Sequence, residues 1–162
     1  MEDKLMIHLL ESVSNGELSY LEKNSYLFSH FYDIHRGNDI LLRKAAEKGH
    51  VEIFEFLLER GANLRALNDY CLIISSWFST GSIEIMKMCL ENGADVNSQN
   101  GSALNKAVIY KHVDKVRLLL LYGADTNLLE DYNLSCVLRS VDMMSLLSEY
   151  GVKADGVESP HS

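Results

Sequence analysis

Three cysteines and six histidines are the side chains of this chain best suited to nucleophilic or metal chemistry. Cys71, Cys89 and Cys136 are far apart, and none has a neighbouring base in the sequence to draw off its proton, which a thiolate nucleophile requires. A metal site would need ligands at short, regular spacing, such as C-x-x-C or H-E-x-x-H, and neither pattern occurs. His30 and His35 lie five apart and match neither. The glycines form no phosphate-binding loop, and no G-x-S-x-G elbow carries a serine. Catalytic, metal and cofactor-binding residues are therefore all expected to be absent, and the chain is expected not to be an enzyme. A net charge of −8 also disfavours nucleic acid, because phosphate binding needs clustered Lys and Arg.

With so little chemistry on offer, the elements that position the side chains become the main signal. The composition is 47% hydrophobic and 23% charged, enough apolar material for a continuous core and unlike a disordered chain. The only proline, Pro160, leaves the preceding residues free to form helices. The odd, sparse cysteines point to a reducing compartment. MEDKLMIHLLES lacks the basic start of a signal peptide, and no window approaches 18 apolar residues. The expected location is thus intracellular and cytoplasmic, without membrane contact. The sequons Asn100-Gly-Ser102 and Asn133-Leu-Ser135 are then chance matches.

Leu42 to Asn63, LRKAAEKGHVEIFEFLLERGAN, sets the rule for the rest: a short helix, a Gly-His turn, a return helix and a Gly-Ala stop. Two rulers repeat it. Helix-ending glycines fall at Gly61, Gly93, Gly123 and Gly151, and leucines at Leu9, Leu42, Leu72, Leu104 and Leu134. Three residues beyond each leucine stands a mostly small residue: Ser12, Ala45, Ser75, Ala107 and Val137. Self-similarity at this period is the mark of a repeat architecture. One domain is expected over 1–155, in units of about 1–35, 36–67, 68–98, 99–128 and 129–155, with 156–162 a disordered tail.

The first unit should present Leu5, Ile7, Leu9, Leu10 and Val13 on one helix face. It then departs from the rule, with Asn24 and Ser25 in place of a leucine pair and Phe28, Phe31 and Tyr32 following. The second should bury Val51, Phe54, Leu57 and Leu58. The third carries a two-residue insertion at its turn, with Trp77-Phe78. The last has Ser148 where inner units carry leucine. Atypical end units are what caps require.

These residues resemble ankyrin repeats. Ala45-Ala46-Glu-Lys-Gly49-His50 meets the family's AAxxGH, Gly93-Ala94-Asp95-Val96-Asn97 meets GADVN, and Gly123-Ala124-Asp125-Thr126-Asn127 nearly does. The resemblance covers about residues 36–128 well and both flanks weakly. The TPLH slots read Ile40-Leu-Leu-Arg43, Tyr70-Cys-Leu-Ile73 and Ser102-Ala-Leu-Asn105, so the turn into each first helix should be less rigid. Asn38-Asp39 and Asn68-Asp69-Tyr70 are similar to the arrays of giant DNA viruses, and intracellular bacterial effectors use comparable ones.

The resemblance implies an all-α ankyrin-repeat solenoid of about five units with atypical caps. Its function would be non-catalytic protein–protein interaction with an unidentified, possibly host, protein. Hairpin tips and first-helix ends then face the partner: Asp39, Glu47 and Lys48; Asn68, Asp69, Tyr70, Trp77 and Phe78; Gln99, Ile109 and Tyr110; Asp131, Tyr132 and Arg139. Trp77, Phe78, Ile109 and Tyr110 stand where the second unit is charged, and would stack as one apolar patch. Alternatively Trp77 and Phe78 fill the core. Rival functions are a homo-oligomer that buries this patch on itself, with a monomer the favoured state, and a regulatory subunit of an enzyme complex. The histidines at the Gly-His turns, His50 and His112, are expected to satisfy backbone groups. Asn97 resembles the hairpin asparagine that asparagine hydroxylases modify, although Cys89 stands where such substrates carry leucine.

Overall fold

The computed structural model of the chain describes residues 2–30, 33–77, 82–137 and 140–153. The fold is all-α, with no strand among the described residues. It divides into two compact units, residues 1–94 and the chain from Asp95 onward.

The first unit contains α1 (Glu2–Asn15), α2 (Leu18–Lys23), α3 (Tyr26–His30), α4 (Arg36–Lys48), α5 (Val51–Glu59), α6 (Ala66–Trp77) and α7 (Ile83–Glu91). The opening helices α1, α4 and α6 pack side by side in chain order, and the return helices α2, α5 and α7 pack back on them. The second unit contains α8 (Ser98–Ile109), α9 (Val113–Leu121), a 3-10 turn at Thr126–Leu128, α10 (Asp131–Val137) and α11 (Val141–Glu149). There α8 packs on α9 and α10, and α9 on α11.

Both rulers correspond to packing. Leu9, Leu42, Leu72 and Leu104 are buried, as are Ser12, Ala45, Ser75 and Ala107 three residues on. Small residues at that slot let neighbouring opening helices approach closely, and the leucines fill the layer between them. Leu134 is only half-buried, and the side chain of Val137 lies outside the described residues. Phe54 and Leu57 are fully buried, while Val51 and Leu58 are half-buried. Ile7 is 54% exposed and does not join the α1 face. Two residues advance a helix by about 200°, so Ile7 and Leu9 point to opposite sides. Phe28 lies edge-on to Phe56 at 5.9 Å. Phe31, Tyr32 and the 156–162 tail lie outside the described residues.

Each return helix of the rule ends in one hydrogen-bond pattern. Gly61 N–H donates to Leu58 O at 2.9 Å and Ala62 N–H to Leu57 O at 3.1 Å. The same pair recurs at Gly93-Ala94, Gly123-Ala124 and Gly151-Val152, at 3.0–3.1 Å. All four glycines have φ of 82–89°, a left-handed conformation that costs glycine little. The turns between paired helices use the same device at Gly16, Gly49 and Lys111. Lys111 holds φ 58° with a side chain in place.

Three opening helices begin in a left-handed triplet. Gly37-Asn38-Asp39, Leu67-Asn68-Asp69 and Gln99-Asn100-Gly101 all have φ between 50° and 68°. Gly tolerates this region because it has no Cβ, and Asn and Asp because their short polar side chains bond locally. At two of the TPLH slots a side chain bonds back to its own turn. Arg43 donates to Asn38 O at 2.9 Å and Gly37 O at 2.8 Å, and Asn105 Nδ2 donates to Gly101 O at 3.2 Å. The fourth residue of the slot ties down its own turn in both cases. Ile73, in the same slot, has no side-chain donor.

Candidate functional site

The residues expected at the surface divide by burial. Asp39 and Asp69 are 3% and 2% exposed, so their carboxylates belong to the interior and are removed from the partner-facing set. The left-handed triplet turns each of them inward. Asp39 Oδ1 accepts from the Asn63 backbone N–H at 2.6 Å and lies 3.0 Å from His35 Nδ1. Asp69 is held by Arg65, whose Nη2 donates to Oδ2 at 3.1 Å and whose Nε faces Oδ1. Arg65 Nη1 also donates to Gly93 O at 2.7 Å, in the following loop. In the second unit Asn97 has this linking role, its Oδ1 accepting from Asp125 N–H at 2.8 Å and its Nδ2 donating to Gly123 O at 3.4 Å. The asparagine singled out for hydroxylation is thus engaged in a loop-to-loop bond.

The other expected residues are more open. Glu47 is half-buried, with Lys44 Nζ at 2.6 Å and Lys48 Nζ at 3.6 Å. Burial opposes ionisation of Glu47, but the two ammonium groups outweigh it and lower its pKa. Asn68 is exposed, and Tyr70 is half-buried with the Arg43 guanidinium 5.7 Å from its ring. Trp77, at the end of α6, is half-buried. Gln99 and Asp131 are exposed and Ile109 is half-buried. Tyr110 is 47% exposed, its ring stacked on His112 at 6.3 Å and 20°. Phe78, Arg139 and the side chain of Tyr132 lie outside the described residues.

Gln99 and Ile109 come together in the second unit, at a cleft of about 150 Å³ between α8 and the start of α10. A buried amide network forms its floor. Asn105 Nδ2 donates to Leu128 O at 2.8 Å, and Asn105 Oδ1 accepts from Glu130 N–H at 3.0 Å and from Asn133 Nδ2 at 2.7 Å. Asn133 is 1% exposed, and its Oδ1 is buried without a hydrogen-bond donor. Burial also closes Asn133 to glycosylation. Asn105 and Asn133 were not among the expected site residues, yet a signal was available. Asn133 occupies the slot before the ruler leucine, where Leu41, Cys71 and Ala103 are apolar and buried.

The thiols are positioned for packing. Cys71 and Cys89 are fully buried and free, and burial pushes the Cys71 thiol up to about 12 and that of Cys89 well above its usual range. The side chain of Cys136 lies outside the described residues. His50 Nε2 is 3.2 Å from Ser14 O, the backbone role expected of the Gly-His turn. Among the described residues, no helix is long and apolar enough to cross a membrane.

Residues 42–130 match the family model described as ankyrin repeats (3 copies). No curated protein sequence matches the chain closely enough to be called a relative. That match covers more than half of the chain and coincides with the helix pairs closed by the Gly61, Gly93 and Gly123 stops, so the chain belongs to the ankyrin-repeat family.

Proposed function

We propose that the chain is a non-catalytic scaffold that binds a protein partner through its hairpin tips and first-helix ends. Ankyrin repeats generally mediate protein–protein interaction, and the family is typically non-catalytic. The first unit offers Glu47, Lys48, Asn68, Tyr70 and Trp77. The second offers Gln99, Ile109, Tyr110 and Asp131. The reading takes the chain as five hairpins, of which the irregular first and last serve as caps. Exposed Ser148 on α11, at a slot where Leu90 and Leu120 are buried, supports a polar final face. The similarity of Asn68-Asp69-Tyr70 to giant-virus arrays supports a host-cell partner.

The observation that carries the reading is Tyr110. It projects from the end of α8, beside half-buried Ile109, with its ring held against His112. An exposed amphipathic ring offers a large contact area for few rotatable bonds, and tyrosines recur among the residues that dominate interface energies. The test is capture from a cell lysate with mass spectrometry, comparing the wild type with Tyr110→Ala and Trp77→Ala and measuring the melting of each. A partner lost by Tyr110→Ala at unchanged melting supports the reading. Equal capture by all three proteins overturns it. Light scattering addresses the self-associating rival: a dimer that Tyr110→Ala dissociates would replace a foreign partner with a second copy of the chain.

A further inference from the structure

The amide cleft of the second unit carries more than a place on the binding surface. At about 150 Å³ it is well below the roughly 300 Å³ at which small-molecule sites begin, and it is the size of one medium-length side chain. Its charged lining is Lys106 and Glu130, one of each sign. An ion of either sign entering here gives up hydration and meets no excess of opposite charge. The remaining polar walls are neutral amides, Gln99, Asn100, Asn105 and Asn133, with the Ser102 hydroxyl. Such walls offer donors and acceptors together.

Two further features narrow the occupant. Asn133 Oδ1 is a buried acceptor without a donor, and buried polar atoms in native proteins are nearly always paired. Asn105 cannot supply that donor, because its Nδ2 is already bonded to Gly101 O and Leu128 O. Asn133 Oδ1 is itself closed to solvent, so the neutral groups an occupant can reach are the exposed amides of Gln99 and Asn100 and the Ser102 hydroxyl, which offer donors and acceptors together. Ile109 forms an apolar part of the lining, suited to methylene groups. A primary carboxamide on a short aliphatic stem answers every one of these conditions. It is neutral, and it donates and accepts through one planar group.

We propose that this cleft takes the side chain of a glutamine or asparagine from an extended segment of a protein partner. The proposal deepens the binding function above and rests on it. Tyr110 and Ile109 supply apolar contact area, and the cleft sets which residue of the partner sits beside them.

The test is a titration of the full 15N-labelled chain with N-acetylglutamine N-methylamide, and with the corresponding lysine, glutamate and norleucine compounds. The side-chain NH2 signals of Asn105 and Asn133 report the site. The expected result is a saturable shift of both signals, with the glutamine compound binding about fivefold tighter than the other three. Tighter or equal binding of the lysine, glutamate or norleucine compound overturns the proposal. So does the absence of any shift, which would leave the cleft to bound water. Lys106→Glu, on a half-buried side chain, makes the lining doubly negative and should move the preference to the lysine compound. An unmoved preference overturns the charge balance on which the choice of a neutral group rests. No partner is needed for these measurements. A failed titration alongside Tyr110-dependent capture therefore removes the cleft and leaves the binding function. A successful titration without such capture does the reverse.

Discussion

Asp39 and Asn63 stand 24 residues apart and share one hydrogen bond, from the Asn63 backbone N–H to a carboxylate that is 3% exposed. The acceptor is shielded from water, so no solvent molecule can take its place if the bond is lost. Asp39→Ala leaves the Asn63 N–H without this acceptor and frees His35. The expected loss is about 2 kcal/mol, read as a lower urea midpoint. Asp39→Asn keeps a carbonyl acceptor and should lose about half as much. Equal stability of the wild type and Asp39→Ala would show that the loop is held by other contacts.

Lys111 holds a left-handed conformation at the turn where the equivalent position in the second hairpin is Gly49. An L-residue with a Cβ is disfavoured there by about 1 kcal/mol. Lys111→Gly should therefore raise the melting temperature, whereas Gly123→Ala, at φ 84°, should lower it. Thermal unfolding of both variants checks the pair. Destabilisation by Lys111→Gly would mean that the lysine side chain contributes more than its backbone costs.

Glu47 has a lowered pKa in the folded chain, through Lys44 and Lys48. A carboxylate more acidic when folded adds stability above its unfolded pKa, and that contribution disappears as pH falls through the folded value. The stability difference between the wild type and Glu47→Gln should be present at pH 7 and shrink below about pH 4.5. Urea midpoints at a series of pH values read it directly. A difference that grows on acidification contradicts the assignment.

Cys71 and Cys89 are buried with raised pKa values, so neither should form thiolate at neutral pH. A thiol-reactive chromophore should leave both unmodified in the native chain and label them in denaturant. Peptide mapping separates them from Cys136. Rapid labelling of Cys89 in the native state would indicate opening of α6 from α7.

The repeat was legible because it depends on backbone rules that sequence states directly. Gly61, Gly93 and Gly123 mark helix ends by steric permission, and Leu42, Leu72 and Leu104 mark the layer by periodicity. The site was less legible. Asp39 and Asp69 read as solvent-facing loop acids, because nothing local announces that three successive left-handed residues turn the third inward. The Asn-Asp pairs were visible as wording and not as geometry. The pairing of Asn105 with Asn133 spans 28 residues and depends on α8 lying beside α10. Only the oddity of an asparagine on an apolar slot hinted at it. Ile7 was misplaced for a simpler reason, a helix face drawn too wide.

The links between successive loops use three different side chains: a carboxylate at Asp39, a guanidinium at Arg65 and a carboxamide at Asn97. Each is matched to the backbone group it meets, an N–H, a C=O, or both. The groups they meet belong to the backbone, and every loop of the pattern carries both kinds: Asp95 and Asp125 have the N–H that Asn63 has, and Gly123 has the C=O that Gly93 has. A hairpin removed or duplicated would therefore still find a partner for its linking side chain at the new joint. Links made to the backbone leave the side chains that form them free to diverge from copy to copy.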